Sequence, residues 1–197
     1  GLTTRISRMK NKLLLIIDPQ IDFITGTLPV PDAQPAIDSL SEYIRDNISD
    51  YTHVIVTADR HPMRHCSFIS QGGKWPSHCV ADSIGAAIWP PLMDRLLDTP
   101  DKVTILHKGQ NAMTEEYSIL KNEDAARQIL AIIKDKDIAQ TDICGLAGDV
   151  CVSDTIRDWL TFPAHTSLNI LRKFTPSIDG GKTLDSLISK YRLQCAR

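Results

Sequence analysis

"KLLLIID", residues 12–18, is an apolar run with no polar break between its first residue and its last. A strand with one face in water alternates apolar and polar side chains, whereas a strand covered on both faces does not. Continuous leucine and isoleucine over so short a span therefore predict a strand held between two layers. Such strands belong to parallel sheets, whose crossover helices lie on both faces. The chain outside this run repeats the alternation. A helix opened by Pro35 carries Ile37, Leu40, Ile44 and Ile48 on one face. "HVIVTAD" (53–59) is a second strand, followed by a long polar loop. "SIGAAIW" (83–89) and "LMDRLLD" (92–98) read as helical pieces broken at Pro90–Pro91. "KVTILHK" (102–108) is a third strand, and Ala125, Ile129, Ile132 and Ile133 mark the helix after it. "TDICGLAG" (141–148) is a fourth strand, leading into a helix with Val152, Ile156, Trp159 and Leu160 at its stripe. "SLNILRK" (167–173) is a fifth, and "TLDSLISKYRL" (183–193) closes with Leu184, Leu187, Ile188 and Tyr191 at helical spacing. The pattern predicts an α/β fold, a three-layer sandwich with a mostly parallel central sheet. It also predicts one domain over 12–197. Residues 1–11 are expected to be a disordered arm or a leftover of cloning, with Met9 a natural start.

Bulk properties narrow the function. The 197 residues are 42% hydrophobic and 23% charged, ordinary for a globular protein. A formal net charge of −2 gives no electrostatic reason to expect nucleic acid or an anionic membrane as partner. No apolar run approaches the ~18 residues of a membrane span. The opening "GLTTRISRMKNK" has no apolar signal core. Five cysteines, at 66, 79, 144, 151 and 195, are an odd and scattered set, which fits a reducing cytoplasm better than a disulfide framework.

In sheets of this kind ligands bind beyond the carboxyl ends of the strands. The first strand ends at Asp18, the second at Asp59 and the third at Lys108, while the fourth leads through a short turn to Cys151. Any one of these could mark a strand's return to solvent, but four in succession on one edge could partner one another. Cys151 is expected in the first turn of its helix, where unpaired N–H groups and the dipole favour thiolate over thiol. A thiol needs a base: Asp18 can take the proton, and Lys108 can stabilise both anions. His107 precedes Lys108 by one residue, faces the other side of its strand and reads as structural.

A second cluster lies in "ADRHPMRHCSF" and "WPSHCV". Asp59, His61, His65 and His78 supply a carboxylate and up to three imidazoles. That is a donor set for one divalent ion, zinc, iron or manganese, with positions left open for substrate. A polar surface loop rich in histidine is the plainer alternative. Cys66 and Cys79 lie close by, but the Asp/His set is sufficient without them, and neither is expected to bind the ion.

"LLLIIDPQIDFITGTL", "VTADRHPMRHCSF", "KWPSHCV", "LHKGQN", "EYS" and "CGLAGDVCVSDT" resemble, in order, the signature segments of the nicotinamidase/pyrazinamidase group of isochorismatase-like cysteine hydrolases. The resemblance runs from about Lys12 to Trp159. It implies a sheet of six parallel strands, one more than the pattern assigns. It implies hydrolysis of nicotinamide to nicotinate and ammonia in NAD salvage, and of pyrazinamide to pyrazinoate, through a thioester. Cys151 would be the nucleophile, Asp18 the general base and Lys108 the third member of a triad. Asp59, His61 and His78 would hold the metal, which in the family fixes the ring nitrogen of the substrate. His65 matches a position that is a ligand in some members and a hydrogen-bonding partner of the metal's water in others. Leu146–Ala147 matches a cis peptide, with the Ala147 and Cys151 N–H groups as oxyanion hole. Phe23 and Trp75 match the walls of the pyridine pocket, and Gln20 a residue that supports the site from behind.

Two departures stand out. Gly148 occupies a position that is larger in most of the group, which would loosen the turn before Cys151. "TFPAHTSLNILRKFTPSIDGG" (161–181) lacks the group's usual pattern and bears on the pocket rim and on oligomerisation, leaving a homo-oligomer open. The nearest rival is another small-amide or ureido hydrolase of the superfamily, which the Asp/His cluster disfavours. An isochorismatase would lack the cysteine. A flavodoxin-like binding domain would carry a glycine-rich phosphate loop where "DPQIDFITGTL" stands.

Overall fold

The structure, a computed structural model, describes Leu2 and residues 11–197. Most of the expected arm lies outside these residues. Asn11, assigned to the arm, instead belongs to the domain: its side chain donates to the carbonyls of Lys136 and Asp137.

Six parallel strands form one sheet: β1 (Lys12–Ile17), β2 (His53–Asp59), β3 (Val103–Lys108), β4 (Gln140–Gly145), β5 (Ser167–Leu171) and β6 (Gln194–Ala196), in the order β3-β2-β1-β4-β5-β6. Among the described residues, five helices of seven residues or more cover it: α1 (Ala33–Asn47), α2 (Pro90–Leu96), α3 (Glu123–Asp135), α4 (Ser153–Trp159) and α5 (Lys182–Tyr191). The central run behaves as its composition demands. Leu13, Leu15 and Ile17 enter one core with α3, α4 and α5, while Leu14 and Ile16 enter the other with α1 and α2. All five side chains are inaccessible to water. Each contributes about 1.5–3 kcal/mol relative to an exposed position, so β1 is the strand the fold can least afford to lose.

Several boundaries differ from the sequence expectation. "SIGAAIW" is not a helix; only Ile84–Ala86 forms a 3-10 turn, because Ile88 bridges to Gln20. α2 is not broken at Pro90–Pro91 but begins there, where a missing N–H costs nothing. β4 ends at Gly145 and β5 at Leu171, each strand leaving the sheet for a turn. Leu160 and Tyr191 were expected inward; they fall at helix ends and are 42% and 44% exposed. The sixth strand, three residues at the sheet edge, is too short and too polar to announce itself.

The order of strands reverses its direction of growth at β1, which has β2 on one side and β4 on the other. The loops leaving β1 and β4 therefore diverge, and a crevice opens between them at the carboxyl edge.

Candidate active site

Asp18 follows β1 directly, with a left-handed φ of 47° that turns the chain sharply out of the sheet. Its N–H is held by the Thr57 carbonyl at 3.1 Å, and the Thr57 hydroxyl donates to Asp18 Oδ1 at 2.7 Å. Lys108, the last residue of β3, is fully buried, which is tolerable only with anionic company. Its Nζ lies 2.9 Å from Asp18 Oδ2, 2.6 Å from Asp59 Oδ1 and 3.6 Å from Cys151 Sγ. One ammonium thus ties together the ends of three strands and the cysteine. The two constellations seen separately in the sequence are a single one, joined through the Lys108–Asp59 contact.

The charges follow from this geometry. Burial pushes the Asp18 carboxyl up; Lys108 opposes the shift and Asp59 adds to it, with the net direction upward. Asp59 is also buried, yet Lys108 and His61 hold it below the ordinary carboxylate range. Burial likewise pushes the Cys151 thiol well above its usual value, Lys108 opposing and the two carboxylates reinforcing. Lys108, despite burial, is held firmly protonated by Asp18, Asp59 and Cys151. The expectation that Cys151 sits in the first turn of its helix is corrected. Cys151 lies in a single π-helical turn, Gly148–Val152, ahead of α4 and not within the helix's first turn. The raised affinity of the thiol for its proton calls for a base. Asp18 is the neighbouring group with the raised proton affinity needed to take that proton.

Asp59, His61 and His78 each place a donor atom within 4.8 Å of the others, forming the one such group among the described residues. Backbone pairing brings the two histidines together from opposite ends of the long loop: His61 N–H bonds Cys79 O at 2.9 Å, and Ala81 N–H bonds His61 O at 2.8 Å. His61 Nδ1 lies 2.8 Å from Gly109 O, and His78 Nδ1 lies 2.8 Å from Pro76 O. A carbonyl only accepts, so both rings carry a proton on Nδ1, which leaves Nε2 as the nitrogen of each ring able to bind a cation once it gives up any proton of its own. The buried His61 Nε2 has no hydrogen-bond partner among the described residues. These are donors suited to a divalent cation, and the residues fit one.

His65 differs. Its Nε2 donates to Thr114 O at 2.9 Å, and its Nδ1 accepts from Ser67 N–H at 3.1 Å. Both ring nitrogens are engaged, and the ring stacks on His61 with centroids 3.9 Å apart. It stands behind a candidate ligand. Cys66 and Cys79 fall outside the donor group, and none of the five cysteines is disulfide-bonded. His107 is exposed on the far side of β3.

Gln20 reproduces a piece of sheet with its side chain: Nε2 donates to Asp59 O and Oε1 accepts from Asp59 N–H, both at 2.8 Å. Phe23 and Trp75 line a pocket of about 410 Å³, its mouth included, with Leu28, Val30, Glu115, Tyr117, Val150 and Ile178. Ala147, Cys151, Asp59 and His78 line it as well. The Leu146–Ala147 peptide is cis. Gly148 does not loosen this turn. A Cβ there would fall 2.2 Å from Ser177 Oγ and 3.0 Å from Thr175 O, so the close approach of residues 175–177 admits nothing larger.

Several site residues carried no legible signal. Thr57, buried mid-sheet, reads as a strand residue. Asp22 accepts from Cys79 N–H at 2.7 Å and so ties the loop after β1 to the His78 loop. Tyr117 accepts from Trp75 Nε1–H at 3.0 Å across the pocket. Gly109, with φ 71°, must be glycine because a Cβ would fall 2.4 Å from the His61 ring. Only the motif "HKG" hinted at the last.

Residues 12–161 match the isochorismatase domain. The chain belongs to the isochorismatase family. Within the family it is similar to the nicotinamidase of Escherichia coli, 32% identical over 171 residues that cover 77% of this chain and 78% of the relative. The nicotinamidase/pyrazinamidase of Mycobacterium tuberculosis is 32% identical over 152 residues, 75% of this chain and 77% of the relative. A crystal structure of pyrazinamidase from Pyrococcus horikoshii in complex with zinc superposes with a TM-score of 0.80 at 29% identity, covering 94% of this chain and 98% of that one. No helix among the described residues is long and apolar enough to cross a membrane.

Proposed function

We propose that the protein is a metal-dependent cysteine amidohydrolase that converts nicotinamide to nicotinate and ammonia, and pyrazinamide to pyrazinoate. The observation that carries this is the Lys108 ammonium in contact with Asp18, Asp59 and Cys151, the last two of which line a pocket together with Phe23 and Trp75. The names of its relatives support the substrate.

The reaction assigns each residue a step. Asp18 takes the Cys151 proton, and Lys108 offsets the charge of the new thiolate. Sulfur attacks the amide carbon, and the oxygen's charge is met by the Ala147 and Cys151 N–H groups. Asp18 returns the proton to the departing nitrogen and ammonia leaves, with the acyl group on sulfur as a thioester. Asp18 then takes a proton from water, which attacks the thioester and releases the acid. Sulfur recovers the proton. Asp59, His61 and His78 would hold a divalent ion, of which zinc, iron and manganese all suit the donors. That ion supplies a Lewis-acidic contact for the ring nitrogen, orienting the substrate beside Cys151. Phe23 and Trp75 stack on the ring. His65 fixes the His61 ring, and Gln20 fixes Asp59. Five unpaired cysteines support a reducing compartment, the cytoplasm. The place of such a reaction is the salvage of nicotinamide for NAD.

Ammonia release from nicotinamide, pyrazinamide and benzamide, with and without a chelator, tests the reading. Benzamide has the scissile amide and the ring size but no ring nitrogen. Losing an oriented polar contact costs it on the order of a hundredfold in kcat/KM or more, with nicotinamide and pyrazinamide comparable. Comparable rates on benzamide would instead favour a generic small-amide or ureido hydrolase.

A further inference from the structure

The 161–181 segment, without a familiar pattern, turns out to be fastened to the nucleophile loop. Gly148 N–H donates to Pro176 O at 2.9 Å. One residue on, the Asp149 carboxylate accepts two successive backbone N–H groups, Ile178 at 3.0 Å through Oδ1 and Asp179 at 3.1 Å through Oδ2. Ile178 is 43% exposed and lines the substrate pocket. An exposed apolar side chain on a loop has little packing to fix it. Pro176 and Asp179 tie down the segment on either side, the latter accepting from Gly181 N–H and from the Thr183 N–H and hydroxyl, and the Asp149 carboxylate is the group that holds the Ile178 peptide itself.

The nucleophile loop has anchors of its own apart from Asp149. The Ser153 hydroxyl donates to Gly148 O, and the Thr155 hydroxyl donates to Cys151 O at 2.7 Å. Val152 is buried in the core behind. If the Asp149 clamp were opened, the rim would move and the cysteine would stay.

We infer that Asp149 is a positioning residue which holds Ile178 as the adjustable wall of the pocket, so that the pair sets how tightly the ring is enclosed and which ring substituents are admitted. This rests on the proposed amidase reading for its substrates, but not for the clamp itself. Charge-assisted acceptance of two N–H groups suits the task, since it fixes both position and rotation of the peptide that carries Ile178.

The test uses Asp149→Ala, Asp149→Asn and Ile178→Ala, with nicotinamide and a set of nicotinamides methylated singly around the ring. Amide hydrogen exchange at Ile178 and Asp179 should quicken about tenfold or more in Asp149→Ala while residues 151–156 keep their protection. KM for nicotinamide should rise about tenfold in Asp149→Ala with kcat within about threefold, and Asp149→Asn, which keeps one acceptor, should fall between. Ile178→Ala and Asp149→Ala should both raise kcat/KM for at least one methylated substrate relative to nicotinamide. Unchanged exchange in Asp149→Ala overturns the clamp. Quickened exchange with unaltered KM and substrate preference overturns the wall, and a fall in kcat at constant KM assigns Asp149 to the cysteine instead. If wild type leaves nicotinamide untouched, the amidase reading fails while the exchange measurement still decides the clamp.

Discussion

Two buried carboxylates sit at opposite ends of the same sheet and are treated in opposite ways. Near the amino edge, Asp142 of β4 is enclosed by donors: the Tyr51 hydroxyl on Oδ2, and Gln140 Nε2 at 2.7 Å and Asn169 Nδ2 at 3.0 Å on Oδ1. Lys12 Nζ stands 3.6 Å away and over the Tyr51 ring. At the carboxyl edge, Asp18 Oδ2 touches the Lys108 ammonium but makes no hydrogen bond with protein donors of regular geometry, and the nearby His61 Nε2 has none either. Both regions hold a carboxylate, a lysine and polar neighbours. The difference is saturation. Buried polar groups are nearly always satisfied, so those left open mark where a ligand or a moving proton is to be accommodated. The Asp142 network locks strands together; the Asp18–Lys108–Asp59 cluster keeps capacity in reserve.

The contrast is breakable by experiment. Cys151→Ala and Asp18→Asn should lower kcat by about a thousandfold or more, since neither role has a substitute. Their melting temperatures should not fall, because Asp18→Asn removes one of two buried negative charges that share a single ammonium. A marked loss of stability in Asp18→Asn would erase the distinction between the two ends. Metal content in Cys151→Ala, read by elemental analysis, should match wild type.

Next in size are changes around the candidate metal donors. His61→Ala and His78→Ala should empty the site, and Gly109→Ala should weaken metal affinity about 10–100-fold by displacing the His61 ring. His65→Ala should weaken it by less than His61→Ala, because both its ring nitrogens face protein. Cys66→Ser should leave occupancy intact. Equal loss in His65→Ala and His61→Ala would make His65 a ligand.

At the amino edge the signs reverse. Asp142→Ala strips acceptors from three donors and should cost about 3 kcal/mol in denaturant unfolding, with kcat/KM of the folded enzyme unchanged. The mildest change is Tyr51→Phe, which removes one hydroxyl from a charged acceptor and should cost about 1–2 kcal/mol. Activity lost in proportion to stability in these variants would show that the two ends are coupled.

The legible part of this protein is the part written in local sequence. Continuous apolar runs such as 13–17 and 54–56 revealed buried parallel strands, and ionisable residues at the strands' ends pointed to the carboxyl edge. Asp18, Asp59, Lys108 and Cys151, each standing where a hydrophobic run stops, are brought into contact there through the Lys108 ammonium. β6 and the loss of helix at 83–89 were not legible in the pattern, because three residues are too few for a periodicity and a backbone bridge between Gln20 and Ile88 overrode local propensity. Nor was the turn that carries Cys151, since its apolar stripe reads as plain helix and the chain instead forms a π-helical turn ahead of α4.

By itself, then, the sequence determined which residue types stand at which strand ends, since periodicity and termination are properties of a few neighbouring residues. Contacts between distant segments were decided only in three dimensions: Lys108 on Asp59, 49 residues apart, Asp22 on Cys79, 57 apart, and Asp149 on Ile178, 29 apart. Each depends on strand order and on the angle at which loops leave the sheet. No local pattern encodes these, because they are set by how the two cores pack against β1.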